Sequence, residues 1–147
     1  MATMKSILDA KGYTFHFITP FDSIQKAVSI LAEHRIGALP VLDGERLVGI
    51  FSERDLVALV ARQGSPNPNL QVSEVMTRSV FGVQLNTTVD EAMALMTDRH
   101  IRHLPVVDRD LVVGIVSIGD IVKEMIRDRD IQIRGLEAYI AVRELPT

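Results

Sequence analysis

Two serine–aspartate pairs, Ser52 with Asp55 and Ser117 with Asp120, each set a hydroxyl three residues before a carboxylate. Each sits in a pattern Gly-hydrophobic-x-Ser-x-x-Asp, as Gly49-Ile50-Phe51-Ser52-Glu53-Arg54-Asp55 and as Gly114-Ile115-Val116-Ser117-Ile118-Gly119-Asp120. A serine followed three residues later by an acid, at a helix start, is a capping arrangement that satisfies free backbone N–H groups. The same ionised carboxylate can accept two hydroxyls of a bound molecule, each charge-assisted bond contributing about 1.5–3 kcal/mol. The free N–H groups of a first helical turn also favour an anion beside it. The spacing leaves both roles open, and they are compatible.

Other reactive types fall away when weighed against their surroundings. His100 and His103 are three apart, but no cysteine or clustered carboxylate completes a metal-ligand set around them. His34-Arg35 and Arg99-His100 close helices, where positive groups suit the helix dipole. Met76, Met93 and Met96 fit core packing at helical spacing. Arg127-Asp128-Arg129-Asp130 reads as a solvated face. Neither phosphate-loop glycine motif is present, and no nucleophile stands at recognisable spacing from a base.

Composition narrows the class further. The chain has 147 residues, 47% hydrophobic and 24% charged, which excludes disorder by composition. Its net charge of −3 argues against nucleic acid and anionic membranes as partners, because both draw affinity from excess positive charge. Two Tyr, five Phe and no Trp make a poor base-stacking platform. Zero cysteines remove disulfides and thiolate chemistry. No apolar run approaches the ~20 residues of a membrane span, and the opening MATMKSILDAKG lacks a signal peptide's apolar core. The expectation is a cytoplasmic, soluble domain.

The elements that must hold these pairs are duplicated. Shifted by 65 positions, residues 19–57 lie on residues 84–122 without a gap, and 12 of the 39 pairs are identical. The identities fall at turns and apolar positions, including Leu39-Pro40-Val41 on Leu104-Pro105-Val106 and Gly49 on Gly114. In each unit an amphipathic helix comes first, with Ile24, Ala27, Val28 and Leu31 matched by Val89, Ala92, Met93 and Met96. Two short β-prone runs follow, separated in the first unit by Asp43-Gly44, a hairpin signal. Pro40 and Pro105 each mark an edge or a strand start. A second helix spans Leu56 to Arg62 and Ile121 to Arg127, and the apolar stretches Tyr13–Ile18 and Ser79–Leu85 offer one more strand per unit. The unit is β-α-β-β-α. Residues 1–64 hold the first unit with a short helix over Thr3–Lys11, 65–77 a breaker-rich connector, 78–128 the second unit, and 129–147 a terminal helix.

The strings Ile36-Gly-Ala-Leu-Pro-Val-Leu-Asp-Gly with Leu47-Val-Gly-Ile-Phe-Ser-Glu-Arg-Asp, and Ile101-Arg-His-Leu-Pro-Val-Val-Asp with Val113-Gly-Ile-Val-Ser-Ile-Gly-Asp, resemble the tandem CBS (cystathionine-β-synthase) domain. The resemblance covers about residues 11–128. It implies an α/β fold of two units about a pseudo-twofold axis, with two clefts between them for adenine nucleotides. It implies a stand-alone regulatory protein rather than an enzyme, working as a homodimer on a separate protein effector, for instance in energy sensing. AMP, ADP, ATP or NAD(H) are the implied ligands, with no catalytic cofactor and no metal. Carried over by position, the first cleft combines Ser52, Arg54 and Asp55 with Ile101, Arg102 and His103 and the strand near Phe81. The second combines Ser117 and Asp120 with Ile36, Gly37 and Ala38 and the strand near Thr14 and Phe15. Each aspartate would hold ribose hydroxyls. The first cleft gathers two arginines and a histidine, so phosphate should prefer it. The rival expectations are a structural dimerisation module with empty clefts and a small nucleotide-processing enzyme.

Overall fold

The computed structural model describes residues 2–127, and the helix expected over 129–147 lies outside them. Helix α1 (Met4–Lys11) leads into α2 (Ile24–His34), the hairpin β1 (Ala38–Asp43) and β2 (Arg46–Ser52), and α3 (Glu53–Gln63). A single 3-10 turn at Val72–Glu74 precedes the second half, which runs β3 (Val83–Gln84), α4 (Val89–Arg99), β4 (His103–Asp108), β5 (Leu111–Ser117) and α5 (Ile118–Arg127). The fold is the mixed α/β tandem pair that the repeat implies.

The two halves repeat each other down to their irregularities. Ser23 caps α2 and Thr88 caps α4, each side chain accepting the N–H three residues on. Both helices end on a left-handed residue that is not glycine, Arg35 at φ 53° and His100 at φ 55°. In the hairpins Leu39 faces Phe51 and Val41 faces Gly49, while Leu104 faces Val116 and Val106 faces Gly114. The register slips at Val41/Leu42 and again at Val106/Val107. Strand β2 lies against β5, bringing the two small sheets face to face.

Two expectations from the sequence are shortened by the structure. The strand expected over Tyr13–Ile18 is reduced to one parallel bridge, Ile18 on Val41, and that over Ser79–Leu85 to Val83–Gln84. Proline explains both. Ile18 N–H donates to the Pro40 carbonyl and Leu42 N–H to Ile18, so a parallel ladder extended by two residues would need an N–H from Pro40, which has none. Pro105 stops β3 in the same way. Helices α3 and α5 start three residues earlier than Leu56 and Ile121, because the serine and aspartate of each pair close the first turn themselves.

Each core is completed by a segment that precedes the other half. Met4, Ile7 and Leu8 of α1 are buried with Val83, Val89, Met96, Leu104 and Val116 of the second half. Val72 and Met76, between the halves, are buried with Ile18, Ile24, Leu39 and Phe51 of the first. Backbone bonds fix the exchange: Met4 N–H to Thr87 and Val89 N–H to Ala2, against Ile24 N–H to Leu70 and Val72 N–H to Asp22. This crossing places the ends of both segments, Lys11 and Thr77, beside the serine–aspartate turns.

Candidate functional site

The turn from β2 into α3 is built by Ser52 and Asp55 acting on each other. Ser52 N–H donates to Asp55 Oδ2 at 2.8 Å and the Ser52 hydroxyl to the same oxygen at 3.1 Å. The other carboxylate oxygen, Oδ1, accepts the Thr77 hydroxyl at 2.8 Å. Capping therefore uses one oxygen and leaves the second toward the gap between the halves. That gap is a cavity of about 260 Å³. From α3 and its lead-in it takes Ser52, Glu53, Arg54 and Asp55; from the other half it takes Phe81, Ile101, Arg102 and His103.

All the residues assigned to the first cleft thus come together. Arg54 donates from Nη1 to the His100 carbonyl at 2.7 Å, tying α3 to the end of α4. The Phe81 ring lies under the Arg99 guanidinium, 4.8 Å from its centroid. Burial lowers the His103 pKa below its ordinary value, with Glu53 and Asp120 opposing the effect and Arg102 and Lys11 adding to it. The wall is mixed in charge, with two guanidinium groups near one carboxylate pair.

Gly37 and Ala38, expected in the second cleft, also line this first one. The glycine of the α2–β1 turn leaves room for the facing half. A Cβ on Gly37 would stand 2.9 Å from His103 Cε1. Glu53 and Thr77 were not singled out in the sequence. Glu53 sits inside the Ser-x-x-Asp string as an unremarked middle position. Thr77 corresponds to Gly12 in the repeat, so the duplication gave it no matching hydroxyl.

The second turn shares the backbone and differs in its neighbour. Ser117 N–H donates to Asp120 Oδ2 at 2.8 Å and Asp120 N–H to Ser117 Oγ at 3.1 Å. Asp120 Oδ2 also accepts Lys11 Nζ at 2.8 Å, and the same ammonium donates to the Ile115 carbonyl at 2.9 Å. Burial pushes the Asp120 pKa upward, but the Lys11 ammonium and the Ser117 N–H outweigh it and hold the carboxyl below its ordinary value. Ile36, Thr14 and Phe15 lie outside the first cavity, with Phe15 tilted against Phe17 at 6.2 Å. Among the described residues no group of three or more acidic or histidine side chains could hold a metal ion. No described helix is long and apolar enough to cross a membrane.

A small α/β tandem pair with a cleft at a helix-capping Ser-x-x-Asp turn defines the class. The CBS domain model matches residues 13–62 and again 72–127, and the chain belongs to the CBS-domain family as a pair. It is 33% identical over 147 residues to CBSX3, a mitochondrial CBS domain-containing protein of Arabidopsis thaliana, covering 94% of this chain and 71% of that one. Among solved structures it is similar to the CBS-domain protein ATU1752 of Agrobacterium tumefaciens, with 42% identity, a TM-score of 0.80, and coverage of 84% and 98%. Two similar structures hold ligands. CBSX2 is in complex with AMP, at 26% identity and TM-score 0.75 over 88% of this chain and 99% of that one. The CBS domain pair of MJ0100 is in complex with 5′-methylthioadenosine and S-adenosyl-L-methionine, at 32% identity and TM-score 0.69 over 84% and 95%.

Proposed function

We propose that this chain is a regulatory module that binds an adenine mononucleotide in the cavity on Asp55. The observation that carries the reading is the convergence, from two halves of the chain, of one hydroxyl-accepting carboxylate with Arg102 and His103. In this arrangement Asp55 takes the ribose hydroxyls, and the Thr77 hydroxyl, now on Oδ1, turns to the sugar. Arg102 and His103 face the phosphate, and Ile101 with Phe81 offers the apolar surface for the base. The AMP held by CBSX2 and the adenosine-containing ligands held by the MJ0100 pair support this class of ligand. The lining sets Arg54, Arg102 and His103 beside the Glu53 carboxylate, a limited positive charge that supports AMP ahead of the more highly charged ATP. Glu53 on the wall repels additional phosphates. The Ser52 hydroxyl is turned onto its own aspartate, which supports binding without transformation of the ligand.

The output passes through assembly. Val57 on α3 and its repeat partner Val122 on α5 are 67% and 47% exposed, and Ile118 and Ile126 continue the α5 stripe. The exposed apolar stripe on α5, with Val57 and Val60 exposed on α3, supports a homodimer that a separate effector protein reads.

Calorimetry with AMP tests the ligand. Asp55→Ala is expected to weaken binding about ten- to a hundredfold, from one or two lost charge-assisted hydrogen bonds, while Asp120→Ala changes it less. Unfolding midpoints serve as the control, because losing a cap alone costs about 1 kcal/mol. An absence of any thermal shift with adenine compounds would favour the purely structural dimer, and turnover of AMP lost in Asp55→Ala would favour an enzyme.

A further inference from the structure

We propose that Lys11 is a built-in latch on the second cleft. Its ammonium pairs with Asp120 on Oδ2, the oxygen that also caps the turn, and this pairing neutralises the carboxylate, so the chain takes a ribosyl ligand on Asp55 and disfavours a second on Asp120. This rests on the reading of Asp55 as the ribose anchor. The geometry is specific to one half. Lys11 Nζ reaches both Asp120 Oδ2 and the Ile115 carbonyl, at 2.8 and 2.9 Å. In the first half the corresponding tie is neutral: Thr77 bonds Asp55 through a hydroxyl and Ile50 through its backbone. Sixty-five positions after Lys11, ahead of the matched span, stands Met76, which is buried and carries no charge.

Lys11 cannot easily drift away from this position. It is the last residue of α1, whose Met4, Ile7 and Leu8 are buried in the second half. The helix is closed at its start by Thr3 and Ser6 and at its end by Gly12, whose N–H returns to Leu8. The ion pair is partly sheltered, with side chains 36% and 18% exposed, so water screens it less than a surface pair. A hydroxyl reaching Asp120 meets a carboxylate whose charge Lys11 already pairs, which makes it a weaker acceptor. Occupancy of the second cleft is therefore coupled to how the C-terminal turn of α1 is seated, and anything that lifts α1 opens that cleft.

Isothermal titration of the full chain with adenosine and with AMP tests the latch through stoichiometry. The wild type should bind one equivalent per chain, and Lys11→Met, which installs the residue of the other half, should bind two equivalents of adenosine. The double variant Lys11→Met with Asp55→Ala should keep one. Lys11→Gln, which retains the stem and removes the charge, repeats the measurement should the methionine variant fold poorly. Two equivalents in the wild type, or one in both Lys11 variants, would overturn the latch and leave the Asp55 reading standing. Binding by the double variant without binding by the wild type would overturn the Asp55 reading and keep the latch. No binding by any form would overturn both.

Discussion

The two Ser-x-x-Asp turns share a backbone, a cap and a strand register, yet one faces a cavity and the other an ammonium. Asp55 is tied to a neutral hydroxyl and stands opposite Arg102 and His103, whereas Asp120 is already ion-paired with Lys11. What separates them lies outside the motif. The first turn is finished by the connector between the halves, through Met76 and Thr77, and the second by the start of the chain, through Leu8 and Lys11. Duplication fixed the scaffold, and the two closing segments, which diverged, set the chemistry of each cleft.

The cores show the same division, and the largest expected effect tests it. Phe51 is fully buried in the first half, and its repeat partner Val116 is fully buried in the second. The smaller valine is compensated by Met4, Ile7 and Leu8 from α1. Phe51→Ala should therefore lower stability by about 3–5 kcal/mol, read as a fall in the urea midpoint. Val116→Ala should cost less, since it removes fewer atoms from beside side chains that can partly close in. Equal losses would break the comparison between a core filled by Phe51 with the connector and one filled by a docked helix.

Next in size are the paired glycines of the hairpins. A Cβ on Gly49 would meet the Thr77 backbone carbonyl at 2.8 Å and Met76 Sδ at 2.6 Å, whereas one on Gly114 would meet only the Leu8 side chain, at 2.7 Å. Overpacking of this kind costs about 1–3 kcal/mol. Gly49→Ala should lie at the upper end, because a backbone carbonyl bonded to Ile50 cannot swing aside, and it should also weaken AMP binding by moving Thr77. Gly114→Ala should be milder and leave AMP affinity unchanged. The reverse order in chemical denaturation would contradict the idea that the connector is the stiffer of the two closing segments.

Much of this was legible before any coordinates. Repeat identities at Leu39-Pro40-Val41 and Gly49 gave the hairpins, and helical spacing from Ile24 and Val89 gave the first helices. The residues assigned to the first cleft came from the resemblance to the CBS pair, carried over by position, and the structure brings Ser52, Arg54, Asp55, Phe81, Ile101, Arg102 and His103 to one cavity. What escaped were features that the repeat does not duplicate. Lys11 and Thr77 sit in segments that cross to a serine–aspartate turn, and their partners, Met76 and Gly12, gave no hint of polar contact. That Gly37 and Ala38 also line the first cleft was not legible, because a turn without side-chain bulk lets His103 of the facing half close on it. The outer strands were overread because local apolarity does not register that Pro40 and Pro105, far along the chain, withhold the N–H those strands need.

The smallest expected effect concerns position 103, where the second half has a histidine and the first has buried Ala38. Burial lowers the His103 pKa below 6.5, so the folded chain binds fewer protons there than the unfolded chain. Its contribution is whole above pH 6.5 and is lost as the pH falls from 6.5 toward the folded value. Asp120, held below 3.8 by Lys11, has the same sign in a separate and more acidic window. The melting temperature of the wild type should therefore fall between pH 7.5 and 5.5, and His103→Ala, which copies the first half, should flatten part of that slope. An unchanged slope would mean that His103 is as free to protonate in the fold as outside it. Saturating AMP should act in the opposite direction, because a phosphate beside the ring favours the imidazolium and offsets the burial that opposes it. The wild type with AMP should then lose less on acidification than the wild type without it, and His103→Ala should show no such protection.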